Sequence, residues 1–241
     1  MFHLYQSFVV FCLFGIYNYC VAQIDPLCGI IAATNIETHH SEWSCDVDGQ
    51  PITNPCDPLW YGINCTFIES MNGIVFSISI ESIRLDGTIP SSLSELTSLQ
   101  YLYMNNNTLT NSIPANIGLL CNLLVLDLNR NRLNNIIPTS IGSLSSLSVL
   151  ELERCDLIGT LPSSLMYLTN LVYMDIEYNH LSGTVGSELW FLKQLNYLSI
   201  GSNNLRGDIS TGIGELSSLK VLYFGYNNIT GSDKVNLLIM L

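Results

Sequence analysis

Leu168-Thr-Asn-Leu171-Val-Tyr-Met174-Asp-Ile176-Glu-Tyr-Asn179-His-Leu181-Ser-Gly183-Thr-Val185 carries two periods within one short stretch. Leu168 and Leu171 are spaced by three, whereas Met174 and Ile176 alternate with polar residues, as in a strand with one buried face. The stretch recurs along the chain. Its closing pair falls at Ile89-Pro90, Ile113-Pro114, Ile137-Pro138, Leu161-Pro162, Val185-Gly186 and Ile209-Ser210, each 24 residues after the last. Such a period predicts a stack of coils, each too small to bury its own aliphatic face and each covered by its neighbours.

Seven strands can be read, centred on Ile78 to Ile80, Leu102 to Met104, Leu126 to Leu128, Leu150 to Leu152, Met174 to Ile176, Leu198 to Ile200 and Leu222 to Phe224. Stacked at about 4.8 Å, they would form one parallel sheet on the inner face of a curved solenoid. After each strand the chain turns with buried backbone groups to satisfy, and an asparagine amide can both donate and accept there. Asn107, Asn131, Asn179, Asn203 and Asn227 hold that position, with Cys155 in the same place in one coil and Ile83 in the first. Segments such as Pro90-Ser-Ser-Leu93-Ser-Glu-Leu96 begin with proline and then space their apolar residues by three, which suits a short 3₁₀ or helical turn on the outer face. Cys155 is read as structural and Cys121, at the end of one outer segment, as a surface thiol.

The repeat places three columns on the open face of the sheet. The first runs Ser77, Tyr101, Val125, Val149, Tyr173, Tyr197, Val221. The second runs Ser79, Tyr103, Asp127, Glu151, Asp175, Ser199, Tyr223, and the third Glu81, Asn105, Asn129, Glu153, Glu177, Gly201, Gly225. Asp127, Glu151 and Asp175 thus fall on successive strands beside Glu153 and Glu177, and like charges at that spacing repel. Tyr101, Tyr103, Tyr173, Tyr197 and Tyr223 surround them, and exposed tyrosine is enriched in binding surfaces. These ten residues form the candidate ligand site, suited to a basic or amphipathic peptide or protein surface. Arg130 and Arg154 stand close enough to neutralise part of the stripe. A plain reading also exists, in which tyrosine is there for strand propensity and the carboxylates for solubility.

The chain has 8 basic and 20 acidic residues, a formal charge of -12, which opposes binding to nucleic acid or anionic lipid. Phe8 to Tyr17 is an uncharged apolar run followed by Cys20-Val21-Ala22, so residues 1–22 are expected to be a signal peptide cut after Ala22, although the usual basic start is missing. The rest divides into an amino-terminal cap over 23–73, a solenoid over 74–231 and an irregular apolar tail over 232–241. The tail is read as the end of a truncated chain in preference to a flap over the last coil. Of the cysteines beyond Ala22, Cys56 and Cys65 are the expected disulfide because a short loop with Gly62 separates them, and Cys28 with Cys45 follows by elimination.

Leu85-Asp-Gly87-Thr-Ile89-Pro90 and Leu157-Ile-Gly159-Thr-Leu161-Pro162 resemble the plant-type class of leucine-rich repeats, and Asn54-Pro-Cys56-Asp-Pro-Leu-Trp60-Tyr-Gly62-Ile63-Asn-Cys65 resembles the cap that precedes such repeats in receptor-kinase ectodomains. Cap and repeats cover roughly Trp43 to Gly231. The resemblance implies an α/β leucine-rich-repeat solenoid with a parallel sheet on its concave face, short 3₁₀ or helical segments on its convex face and a disulfide-containing cap. It implies an extracellular protein that recognises peptides, hormones, partner receptors or foreign hydrolases. The sequence departs from that pattern at Ile83, at Asn111 and Asn135 where glycine is typical, and at Gly186 and Ser210 where proline is lost. Those departures are expected to disturb the outer strand locally.

Three sequons, at Asn64, Asn106 and Asn228, fit passage through the secretory route. No catalytic residue, metal site or cofactor is expected. Glu151 and Glu153 are paired carboxylates, but on an open sheet with nothing to desolvate them. His39-His40 lacks a third ligand, and Asp46-Val-Asp48-Gly49 lacks the spacing and terminal glutamate of a calcium loop. The expected partner is a protein or peptide, basic where the acidic stripe receives it, with a membrane involved only if the chain is a receptor fragment.

Overall fold

The computed structural model describes residues 25–36, 45, 62–66, 74–208, 211–230 and 239–240. Seven strands, Ile74–Ser79, Tyr101–Tyr103, Val125–Asp127, Val149–Glu151, Tyr173–Asp175, Tyr197–Ser199 and Val221–Tyr223, stack in that order and in parallel register. The middle residue of each short strand points inward. Leu102, Leu126, Leu150, Met174, Leu198 and Leu222 are all buried, with Leu96, Leu120, Leu144, Leu168 and Leu192 beneath them from the outer turns. Each such leucine contributes about 2 kcal/mol through removal from water, and the partner surface always comes from the adjacent coil.

The sheet has nine strands rather than seven, and the two extra ones run antiparallel. Ile63–Thr66 pairs with Ile74–Ser79 at one end, and Ile239–Met240 pairs with Val221 and Leu222 at the other. An open parallel sheet leaves a row of unpaired backbone groups at each edge, and both rows are met by reversed strands. At the amino end the helix Asp25–Ala33 also lies against the first outer turn, Ser91–Glu95, burying Leu27 and Ile30 in the common core. Cys28 and Cys45 form the expected disulfide, with Cα atoms 6.0 Å apart. Residues 1–22, Cys56, His39-His40 and Asp46 to Gly49 lie outside the described residues, as does the side chain of Cys65.

The six outer segments among the described residues are 3₁₀ turns: Ser91–Glu95, Ala115–Leu119, Thr139–Ser143, Ser163–Tyr167, Ser187–Phe191 and Thr211–Glu215. Pro90, Pro114, Pro138 and Pro162 precede four of them with φ between -74° and -64°. Gly186 adopts the same extended backbone, φ -76° and ψ 161°, so the lost proline costs no geometry there.

The turn out of each concave strand is made by a left-handed residue without glycine. Ser82, Asn106, Arg130, Arg154, Tyr178, Ser202 and Tyr226 all have φ between 49° and 59° and recur every 24 residues. The ladder asparagine follows. Asn179 accepts from the backbone N–H of Cys155 and Leu157 at 3.0 and 2.9 Å, and donates to the carbonyls of Leu152 and Ile176 at 2.8 and 3.0 Å. Asn107, Asn131, Asn203 and Asn227 make corresponding bonds, so one side chain ties two coils at every rung.

A second sheet follows the ladder on the flank of the solenoid. Ile158–Thr160, His180–Thr184, Asn204–Asp208 and Asn228–Thr230 form four parallel strands, while Asp86–Thr88 and Thr108–Thr110 form a separate pair. Only an isolated bridge from Thr110 to Arg132 stands between them. Gly87, Gly159, Gly183 and Gly207 have positive φ, and Asn111 takes the same conformation in its coil. In the next coil the left-handed residue is Asn134, one place early, and Asn135 does not supply it. That shift removes the strand, so of the departures from the repeat pattern the one at Asn135 interrupts the outer sheet, whereas that at Gly186 does not.

Candidate functional site

The concave columns fall where the repeat puts them. Asp127 is the direct register partner of Glu151, and Glu151 of Asp175. Among the described residues none of these three carboxylates is ion-paired. Glu153 is: Arg154 Nε lies 2.8 Å and Arg130 Nε 3.7 Å from its carboxylate. These pairs are solvent-exposed and add little to stability, roughly 0–1 kcal/mol each. Their effect is on the charge map, since both nearby arginines are drawn to Glu153 at the rim and the inner stripe keeps its negative charge.

The expectation that nothing on this open sheet desolvates Glu151 is corrected, and the burial extends to its neighbours in the stripe. Asp127 is only 8% exposed, with Tyr103 and the rest of the stripe about it. Burial, opposed by the Asn129 backbone N–H and reinforced by Glu151, Glu81 and Glu153, pushes its carboxyl up to about 6. Burial likewise pushes Asp175 up to about 6, opposed by the Glu177 N–H, with Glu153, Glu177 and Glu151 adding repulsion. Glu151 and Glu177 are raised for the same first reason.

The tyrosines divide into two groups. Tyr173 and Tyr197 stack with ring centroids 4.3 Å apart and planes 7° from parallel, on neighbouring strands directly beside Asp175. Tyr101 and Tyr103 lie near-parallel at 6.5 Å on one strand, and Phe76 meets Tyr101 edge-on. Tyr223 lies over Gly201, close enough that a Cβ there would fall 2.4 Å from its Cε1. The acidic centre is therefore flanked by aromatic surface on both sides along the solenoid axis.

The sequence did not single out Asn129 and Ser199 as site residues, nor the contact between Arg154 and Tyr178. Asn129 Nδ2 donates to Glu151 Oε2 at 2.5 Å while its Oδ1 accepts from the Glu153 N–H at 2.5 Å, which locks the centre of the stripe. Ser199, fully buried, donates to Glu177 at 3.0 Å. Arg154 stacks on the Tyr178 ring, 3.9 Å from its centroid. The signal for Asn129 and Ser199 was their place in the columns; that for Arg154 and Tyr178 was their shared 24-residue spacing in the left-handed row.

Cys155 stands at the ladder position, buried and free of any disulfide, with burial pushing its thiol up to about 12, while Cys121 is free and exposed. Both readings of these thiols from sequence agree with that placement. Asn64, Asn106 and Asn228 all have exposed side chains.

The family model for the Leucine Rich Repeat matches residues 98–120 and 122–144. Receptor-like protein 5 of Arabidopsis thaliana is 31% identical over 93 residues, which are 39% of this chain and 31% of that protein. The chain thus spans about a third of that relative. Among solved structures, the LRR ectodomain of the plant membrane receptor kinase GASSHO1/SCHENGEN3 from Arabidopsis thaliana, in complex with CASPARIAN STRIP INTEGRITY FACTOR 2, matches with a TM-score of 0.71 and 26% identity over 88% of this chain and 28% of that one. The BIR3–SERK2 complex from Arabidopsis thaliana matches with a TM-score of 0.55 and 26% identity over 86% of this chain and 95% of that one. Repeat spacing, amide ladder, second sheet and these likenesses together identify the fold as a leucine-rich-repeat solenoid, similar to the ectodomains of plant receptors.

Proposed function

We propose that the chain is an extracellular, non-enzymatic recognition module that takes a basic or amphipathic peptide or protein surface on its concave sheet. The observation that carries this reading is the in-register run Asp127, Glu151 and Asp175. Adjacent strands hold these three carboxylates side by side without a cation on any of them among the described residues. Repulsion across such a run costs stability, and a cationic partner removes the cost while gaining charge-assisted hydrogen bonds. The stacked Tyr173 and Tyr197 supply rigid, amphipathic surface beside it. A match to part of a receptor-like protein and a neighbour solved with a bound factor favour a place within a receptor ectodomain.

The test uses the secreted chain and two synthetic probes, a decapeptide alternating arginine and leucine and its glutamate counterpart. The arginine peptide should bind the wild type with an affinity that falls as salt rises. Double substitution Glu151→Lys and Asp175→Lys should weaken it at least about tenfold, since removing close charge pairs costs 1.4 kcal/mol or more. Equal binding of both peptides, or unchanged affinity in the double variant, would remove the concave stripe as the site.

A further inference from the structure

The outer sheet carries a cleft of about 300 Å³ lined by Ser182, Gly183, Asn204, Arg206 and Asn228. That volume sits at the lower end of the roughly 300–1,000 Å³ that small-ligand sites occupy. Register explains the grouping: Ser182 pairs with Asn204, and Arg206 with Asn228, on three neighbouring strands. The lining offers a hydroxyl, two amides and a guanidinium, with no carboxylate, which matches the hydroxyls and acetamido carbonyl of an N-acetylated sugar. Gly183, with φ 84°, leaves its floor free of side chain.

Asn228 is also the acceptor of the sequon Asn228-Ile-Thr230. Its side chain is exposed and donates to no acceptor among the described residues. The Asn106 amide, by contrast, already donates to Ser82 Oγ at 2.8 Å.

We propose that Asn228 carries an N-linked oligosaccharide whose first N-acetylglucosamine is seated in this cleft against Asn204 and Arg206. The proposal rests on the extracellular reading, because only a chain in the secretory route meets the sugar donor. In the transfer, the Asn228 amide nitrogen forms a bond to the anomeric carbon of a lipid-pyrophosphate-linked oligosaccharide. The carbon–oxygen bond to pyrophosphate breaks, the lipid pyrophosphate leaves with the electron pair, and the amide gives up one proton. In the folded chain Thr230 Oγ1 donates to Asp208 Oδ1 at 2.6 Å, so the hydroxyl of the acceptor sequence is engaged. Transfer therefore precedes closure of the last coil, and folding then lays the sugar on the sheet.

The experiment secretes the full chain from plant cells, maps occupied asparagines by mass after enzymatic release in heavy-oxygen water, and follows endoglycosidase trimming of the native protein. Wild type is compared with Arg206→Ala and Asn204→Ala. Asn228 should be occupied, and either substitution should speed trimming there by about two- to tenfold, the range set by loss of one net hydrogen bond. Trimming at other occupied sites should not change. Glycan on Asn64 or Asn106 with Asn228 bare overturns this proposal alone. A bare chain that never reaches the medium overturns it together with the extracellular reading. Equal trimming rates in all three proteins overturn the seating.

Discussion

Cys155 Sγ lies 3.1 Å from the carbonyl oxygen of Leu128, in the place where Asn107, Asn131, Asn179, Asn203 and Asn227 each reach back with an amide to the preceding coil. The thiol reproduces the donor half of the rung and does so weakly. It supplies no oxygen to accept as Asn179 Oδ1 does from the N–H groups of Cys155 and Leu157.

Restoring the amide should therefore stabilise the protein. Cys155→Asn is expected to add about 1 kcal/mol, the net worth of one buried hydrogen bond, and to raise Tm by roughly 2–4 °C. Asn179→Ala should act in the other direction by about 3 kcal/mol or more, because it strands two buried donors and two buried acceptors at once. Thermal unfolding followed by circular dichroism compares the three proteins. A Cys155→Asn chain less stable than wild type would show that the thiol is preferred at this rung.

The two free thiols should differ sharply in reactivity. Cys121 is exposed, whereas Cys155 is buried with its thiol pushed up to about 12 by desolvation. Only the thiolate reacts with alkylating reagents. Iodoacetamide at neutral pH should modify Cys121 in the native protein and reach Cys155 only after denaturant is added, as peptide mass mapping would record. Native modification of Cys155 would mean that the ladder opens locally.

The repeat made the solenoid legible because one buried face imposes the same spacing on every coil. Leu168-x-x-Leu171 and Met174-x-Ile176 disclose the turn and the strand without any other information. What the spacing did not disclose was the electrostatic state of the concave face. Columns give direction, not depth: Asp127 and Ser199 occupy outward positions yet are buried, because neighbouring side chains close over them. The capping strands escaped for a different reason. Ile63–Thr66 and Ile239–Met240 belong to no repeat, and their pairing depends on the unpaired edge that the repeats leave. Tyr178 escaped because it belongs to no column of the sheet, and Arg154 was weighed only against the acidic stripe, although the left-handed backbone brings the two side chains into contact.

Glycine is required at Gly183 on the flank and dispensable at Gly214 on an outer turn. Gly183 has φ 84°, and a Cβ there would lie 2.9 Å from Thr160 Cγ2 on the adjacent strand. Gly183→Ala should cost about 1–2 kcal/mol. At Gly214, in the 3₁₀ turn Thr211–Glu215, a Cβ would meet nothing within 4 Å. Gly214→Ala should be neutral or stabilising by up to about 1 kcal/mol through the unfolded chain. Urea unfolding separates the two, and equal losses would refute the assignment of strain to the outer sheet.

Asp127 and Asp175 make opposite demands on pH for folding and for binding. Both carboxyls are pushed up to about 6 in the folded chain from an ordinary value of 3.8, so the folded state holds its protons more tightly than the unfolded one. Stability from this source is complete below about 4 and is lost as pH rises through about 6. Asp127→Asn should consequently raise Tm at pH 7 and flatten the decline between pH 4 and 6. After allowance for solvent screening the gain is about 1 kcal/mol, or roughly 2–4 °C. A cationic ligand favours the ionised carboxylates, so its affinity should climb over the same window in which stability falls. For the arginine peptide, binding measured by calorimetry should weaken on acidification from pH 7 to 5, and in Asp127→Asn, Asp175→Asn that pH dependence should shrink. A peptide that binds equally well at pH 5 and pH 7 would place its cations away from these two residues, at Glu153 or Glu177 on the rim.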